Sequence, residues 1–207
     1  MTQRASLRLV ALFVAVALGL WYFAFQTELW NFWARLSLAV GLLALWALVL
    51  TPDRWALFAF GRREVLIGLL SALGLYLFFW VGKALSTAVL PFAAEQISSV
   101  YANKAQLSPV LIGLLLLFVL GPGEEIFWRG FVQRQLAEQW GGYAGWLVTT
   151  AVYALVHLWT LNAMLVLAAA AAGLVWGWIY WRERNLTSVI ISHALWDLSV
   201  FVLFPLG

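Results

Sequence analysis

The chain has 207 residues, 65% of them hydrophobic and only 10% charged, with 14 Trp and 14 Phe. A soluble domain carries about 25% charged residues, so these proportions exclude an ordinary soluble fold and point to a polytopic membrane protein. The formal charge of +3 comes from basic residues scattered at the ends of apolar runs, which argues against a nucleic-acid partner; with no cysteine there are no disulfides, no thiolate nucleophile and no thiolate metal site.

In chain order, residues 9–27 form the first apolar run, free of charge and preceded by Arg4 and Arg8. The run ends in Trp21, Tyr22, Phe23 and Phe25 with no small-residue cleavage site, so it reads as a retained span. Residues 36–50 are the second span, 51–63 a polar loop and 65–82 the third span. Residues 83–108 are the least hydrophobic part and read as a short surface helix plus loop. A fourth span starts at Pro109 and runs into Gly121-Pro122-Gly123-Glu124-Glu125, after which the polar side chains of 131–140 predict a segment emerging into water or the interface. From Gln139 to Trp181 no Asp, Glu, Lys or Arg occurs, enough for two helices broken near 158–162. Arg182-Glu183-Arg184 reads as a tight turn, and 186–206 as the seventh span. The expectation is an all-α polytopic bundle of about seven spans in one membrane domain, 1–207, with three spans and a connecting segment in 1–108 and the catalytic helices in 109–207. An N-terminus in the cytoplasm puts Arg4, Arg8, Arg54, Arg62, Arg63, Arg129, Arg134, Arg182 and Arg184 inside, against Arg35, Lys83 and Lys104 outside. That bias predicts the C-terminus outside.

Chemistry concentrates in the second half. Ionisable side chains inside membrane spans are costly, so they have partners and a use. Arg129 follows Glu125 by four residues, in the favourable order for a pair on one helix face. Glu124 points about 100° away and is left out of that pair. The only two histidines, His157 and His193, each have a neighbour four residues away, Tyr153 and Asp197. Gathering these groups into one site offsets their desolvation. A carboxylate with two imidazoles suits activation of water, with Glu124 as base; the histidines could position that water, hold Zn²⁺, or stabilise an oxyanion. Taken singly, each feature has a plainer reading. Glu124 and Glu125 could be first-turn acids after Gly-Pro-Gly, His157 an interfacial side chain on backbone, and His193 with Asp197 an interhelical hydrogen-bonding pair. Tyr153 reads more readily as packing than as chemistry, and 168–173 as a close-packing small-residue face.

Together, Glu124-Glu125-x-x-x-Arg129, Tyr153-x-x-x-His157 and His193-x-x-x-Asp197 resemble the three-motif signature of the CPBP (CAAX protease and bacteriocin-processing, or Abi) intramembrane proteases. The resemblance covers Pro109 to the end. Tyr153 stands where Phe is usual and Asp197 where Asn is common. The resemblance implies an intramembrane endopeptidase of the prokaryotic cytoplasmic membrane with Glu124 as base and His157, His193 and Asp197 completing the site. Its substrate would be a membrane-associated peptide or protein: a prenylated tail, a bacteriocin leader or a sorting tag. The cofactor stays open between none and Zn²⁺. Two further readings are a non-catalytic immunity or assembly factor of the same fold and a small transporter with a Glu–His proton relay. At about 1.5 Å per residue, Glu124 is expected nearer the cytoplasmic side than His157 by on the order of 10 Å, a gap that the fold has to close.

Overall fold

A computed structural model describes residues 7–206, all of whose regular structure is helical. Arg4, used above for orientation, lies outside the described residues. The helices are α1 (Leu7–Gln26), α2 (Phe32–Leu50), α3 (Arg62–Val89), α4 (Ala93–Val100), α5 (Pro109–Trp140), α6 (Gly142–Val156), α7 (Ala163–Glu183) and α8 (Leu186–Leu203). Single 3₁₀ turns occupy Arg54–Leu57, Tyr101–Gln106 and His157–Thr160.

Among the described residues, six helices (α1, α2, α3, α5, α7 and α8) are long and apolar enough to cross a bilayer, one fewer than the sequence count. The difference is α6, which has 15 residues where about 20 are needed. It still runs the length of the bundle. Its first residues lie against Trp181 near the end of α7, where a Cβ on Gly142 would meet the indole. Past its other end, the Trp159 carbonyl accepts from Gln26 Nε2 at the end of α1, at 2.5 Å. The expected break at 158–162 is a 3₁₀ turn followed by Leu161 in the left-handed region (φ 53°), with the Asn162 side chain capping α7 through Leu165 N–H.

The segment after the Glu pair departs most from expectation. Gly121-Pro122-Gly123 does not begin a helix, and 131–140 continues the same helix toward the polar end of the bundle. The span continues for 32 residues, Pro109–Trp140, so the Glu pair sits at its midpoint. Backbone inside a bilayer has no water to bond to and therefore stays helical even through Gly and Pro. Strain from Pro122 is taken up by wide π turns, Leu116–Leu120 before the motif and Ile126–Gln133 after it. Phe131, Val132, Gln133 and Leu136 are buried; Gln133 Nε2 donates to the Gly177 carbonyl at 2.7 Å, and Arg134 pairs with Asp53 at 2.6 Å.

Helix α5 is wedged between α2 and α8. A Cβ at Gly123 would lie 2.5 Å from Val40 Cγ1, and one at Gly121 would lie 2.9 Å from the Ala194 Cα. Side chains at either position would separate the helices that carry the site. Trp21, Trp33, Trp128 and Trp176 are fully buried around this wedge. Helix α3 packs along α8 and turns Leu66, Leu69, Leu70, Leu73, Leu77 and Phe78 outward, an apolar face suited to lipid.

Two of the basic residues assigned to the inside, Arg63 and Arg134, meet at one end of the bundle, and Arg129 does not join them. Arg134 pairs with Asp53, and Arg63 pairs with Glu183, which ties the 51–63 loop, the end of α5 and the α7–α8 turn into one end of the bundle. The Arg134 side chain, by hydrogen bond and charge, holds the Asp53 carboxyl below the usual carboxylate range. Arg129 is not part of this end: it is fully buried in the core. At the opposite end, buried Arg35 donates to the carbonyls of Ala24, Leu29 and Trp30 and closes the α1–α2 turn.

Candidate active site

Helices α5, α6, α7 and α8 each bring one part of the site. On α5, the expected Glu125–Arg129 pair forms at 2.8 Å and is sealed from solvent. Glu125 Oε1 also receives His193 Nδ1 from α8 at 2.7 Å, a contact across 68 positions of sequence. A carboxylate can only accept from its partners here, so Nδ1 of His193 carries a hydrogen and Nε2 faces away, 3.5 Å from Asp197 Oδ2. The Trp176 ring of α7 stacks on the imidazole with centroids 3.7 Å apart and planes 16° apart, and its Nε1 donates to Ser192. His193 is thus held by a carboxylate, an indole face and its own helix.

Arg129 Nη1 is spent on Glu125, while Nε and Nη2 find no hydrogen-bond partner among the described residues. The guanidinium instead lies over two aromatic faces, Tyr153 at 4.8 Å and Trp176 at 5.5 Å. Cation–π contacts of this kind gain strength when desolvated. The cation therefore neutralises Glu125 and leaves Glu124 out, as the 100° offset between neighbours on a helix requires.

Glu124 faces the other way, into a cavity of about 200 Å³ whose walls include Tyr153, His157, His193 and Asp197. The depth gap expected from the sequence is closed, because the uninterrupted α5 carries Glu124 to the level of the end of α6. Glu124 Oε2 accepts from Tyr153 Oη at 2.8 Å. His157 Nδ1 lies 2.7 Å from the Tyr153 carbonyl; a carbonyl only accepts, so the hydrogen is on Nδ1 and Nε2 is the free nitrogen. Trp21 meets the His157 ring edge-on at 6.0 Å. Ser99, Asn103, Thr160 and Asn162 complete the cavity wall at the end of the bundle opposite the arginine-rich one. A second cavity of about 300 Å³, almost wholly apolar, shares Val100, Leu165, Ala168, Trp196 and Phe201 with the first.

Of the residues singled out from the sequence, Glu124, His157, His193 and Asp197 line one cavity, and Glu125 and Arg129 stand behind it. Of the plainer readings, the first-turn one fails, because the glutamates are mid-span, whereas His157, though buried, does bond to backbone and His193 does bond across helices to Glu125. Tyr153, assigned to packing, bonds directly to Glu124; its position four residues before His157 was the available signal. The stripe 168–173 is a packing face that also lines the cavity through Ala168, Ala169 and Ala172. Among the described residues no group of three or more His, Cys, Asp or Glu side chains is disposed to hold a metal ion. Both Nδ1 atoms and Glu125 Oε1 are already engaged. That leaves Nε2 of each histidine, Glu124 and Asp197 as the donors toward the cavity.

Residues 106–199 match the family model described as Rce1-like, type II CAAX prenyl endopeptidase Rce1-like. This segment contains all three motifs, and the match agrees with the resemblance they carry. No curated protein and no solved structure matches the chain. The chain is an integral membrane protein of helical class, and its motif-bearing segment is similar to the type II CAAX prenyl endopeptidases.

Proposed function

We propose that this protein is an intramembrane endopeptidase that hydrolyses a membrane-associated peptide with water activated by Glu124. The observation that carries the reading is the division of labour in the glutamate pair. Glu125 is committed to Arg129 and His193, whereas Glu124 is bound to no cation among the described residues and faces the cavity beside His157.

The reaction follows from these positions. A water molecule between Glu124 and His157 Nε2 gives a proton to the free Glu124 oxygen, and its oxygen attacks the scissile carbonyl carbon. His157 Nε2, free because Nδ1–H is held by the Tyr153 carbonyl, accepts the second water hydrogen and fixes the direction of attack. The carbonyl π pair moves to oxygen. His193, when protonated at Nε2, donates to that oxyanion, with Asp197 as the polar anchor beside it. The tetrahedral intermediate collapses, the C–N bond breaks, and the proton held by Glu124 passes to the leaving amine. Products are a carboxylic acid, which ionises on release, and an amine that takes up that proton, with no change of oxidation state. The adjoining apolar cavity supports a substrate with a bulky apolar group beside the scissile bond.

The test uses purified protein in detergent with a fluorescence-quenched peptide ending in a farnesylated CAAX tail, and the same peptide without the lipid. Cleavage of the lipidated peptide, lost by on the order of 10²–10⁴-fold in Glu124→Gln at unchanged expression, is expected. Cleavage at the wild-type rate by Glu124→Gln would refute the assignment. Transport of protons in liposomes without any peptide cleavage would replace the reading with a transporter.

A further inference from the structure

We infer that Tyr153 is a positioning residue that orients both groups acting on the water, Glu124 through its hydroxyl and His157 through its carbonyl. The inference rests on the reading of Glu124 as the base and adds to it a part for a side chain that the chemistry above leaves unused.

A glutamate carboxylate turns about a broad, roughly two-fold terminal torsion. Left alone at a cavity wall, it presents either oxygen in a spread of directions. Tyr153 Oη removes that freedom by donating to Oε2 at 2.8 Å, so that Oε1 is the oxygen left for water. The same residue's carbonyl holds the Nδ1 hydrogen of His157 at 2.7 Å and thereby turns Nε2 to the cavity. One residue of α6 thus sets the register between a base on α5 and an imidazole on its own helix.

The ring is held firmly enough for this task. The Arg129 guanidinium lies 4.8 Å over one face. Trp128 meets the ring at 5.5 Å and His157 at 4.9 Å, both steeply inclined. Gly173 on α7 leaves the space the ring uses: a Cβ there would lie 3.2 Å from Tyr153 Cδ1 and 3.7 Å from Arg129 Nη2. Each of these contacts is made by the ring or the backbone, so replacement of Tyr by Phe removes the hydroxyl and leaves the rest in place. A hydrogen bond to an ionised acceptor is worth more than one between neutral groups, and misdirection of a catalytic atom lowers the rate without weakening substrate binding.

The experiment measures kcat and KM for the farnesylated peptide in Tyr153→Phe, Glu124→Asp and the double variant, with thermal midpoints in the same detergent. Tyr153→Phe is expected to lower kcat about 10-fold and to leave KM and the thermal midpoint unchanged. Glu124→Asp withdraws the carboxylate by one methylene, out of reach of the hydroxyl. Adding Tyr153→Phe to it should then change the rate less than about twofold, the coupling that a double-mutant cycle detects. Wild-type kcat in Tyr153→Phe, a loss confined to KM, losses that multiply in the double variant, or failure of Tyr153→Phe to fold would each overturn the inference. Wild-type cleavage by Glu124→Gln would overturn the assignment of the base instead, so the two failures are distinct.

Discussion

Replacing Gly121 by alanine tests whether the site depends on the close approach of α5 to α8. The new Cβ would lie 2.9 Å from Ala194 Cα, 3.0 Å from its nitrogen and 3.1 Å from its Cβ. The two nearest of these atoms are backbone, which cannot swing aside as a side-chain tip can. Ordinary contact begins at 3.4 Å, so α8 must retreat by about 0.5–1 Å, an overpacking that costs about 1–3 kcal/mol. The gain in helix propensity from Gly to Ala, about 1 kcal/mol, offsets part of it. Net stability should fall by only about 0–2 kcal/mol. Activity should suffer more. His193 directly precedes Ala194 on α8, and its 2.7 Å contact with Glu125 would stretch beyond the range of a good hydrogen bond. An error of about 1 Å in a catalytic group costs on the order of 10²-fold, so a loss of about 10–100-fold in kcat is expected. Gly41→Ala, on α2 where nothing lies within 4 Å, is the matched control and should cleave like wild type. Equal activity in the two variants, with Gly121→Ala folded, would refute the argument that this contact sets the site.

Arg129→Ala should destabilise by about 3–5 kcal/mol, because it leaves Glu125 buried and charged without its cation; thermal unfolding in detergent measures this, and a normal midpoint would contradict the pairing. Asp197→Asn keeps the shape and one oxygen beside His193 and should retain most activity, whereas Asp197→Leu should abolish it; a loss in the Asn variant as deep as in Glu124→Gln would mean that the charge itself is required. With the arginine-rich end inside and seven crossings including α6, a reporter fused after Gly207 should be active outside the cell. In this cysteine-free chain, Asn103→Cys at the cavity mouth should then react with an impermeant maleimide in intact cells and Arg184→Cys only after permeabilisation; the reverse pattern would invert the topology. The depressed Asp53 carboxyl contributes stability that is present above the ordinary carboxylate range and lost as pH falls through its lowered folded value, so Asp53→Asn, at the exposed member of the pair, should cost under about 1 kcal/mol at neutral pH and nothing measurable in strong acid.

What the sequence made legible was local. The Glu125–Arg129 pair, the break before Asn162, the turn at Arg184 and the helical class all follow from spacings of a few residues, which a helix or a turn converts directly into geometry. The contacts that define the site are not local. Glu125 with His193 and Glu124 with Tyr153 join different helices, and no periodicity along one helix encodes how two helices meet. Tyr153 was hidden for a further reason: among so many aromatic side chains, one whose hydroxyl bonds a carboxylate has the same letter as one that only packs.

The plainer reading of Gly121-Pro122-Gly123, as the start of a helix, fails for a different reason, one that bears on the whole site. In water these residues end a helix, because a coil can bond its freed backbone groups to solvent. Within a bilayer that alternative is absent, and a helix that loses one bond to Pro122 is still better than any structure that loses several. The chain answers with π turns on both sides of the motif, which keep the backbone bonded while changing the direction in which successive side chains point. The same small residues let α2 and α8 approach within contact of the α5 backbone. A sequence that would signal a break therefore does two things at mid-span: it brings His193 against Glu125, and it leaves Glu124 turned to the cavity. Arg129 follows the same logic. Counted by its charge it belongs with the cytoplasmic arginines, but a carboxylate buried at the centre of α5 needs a cation within one turn, and that requirement outweighs the preference of an arginine for the membrane surface.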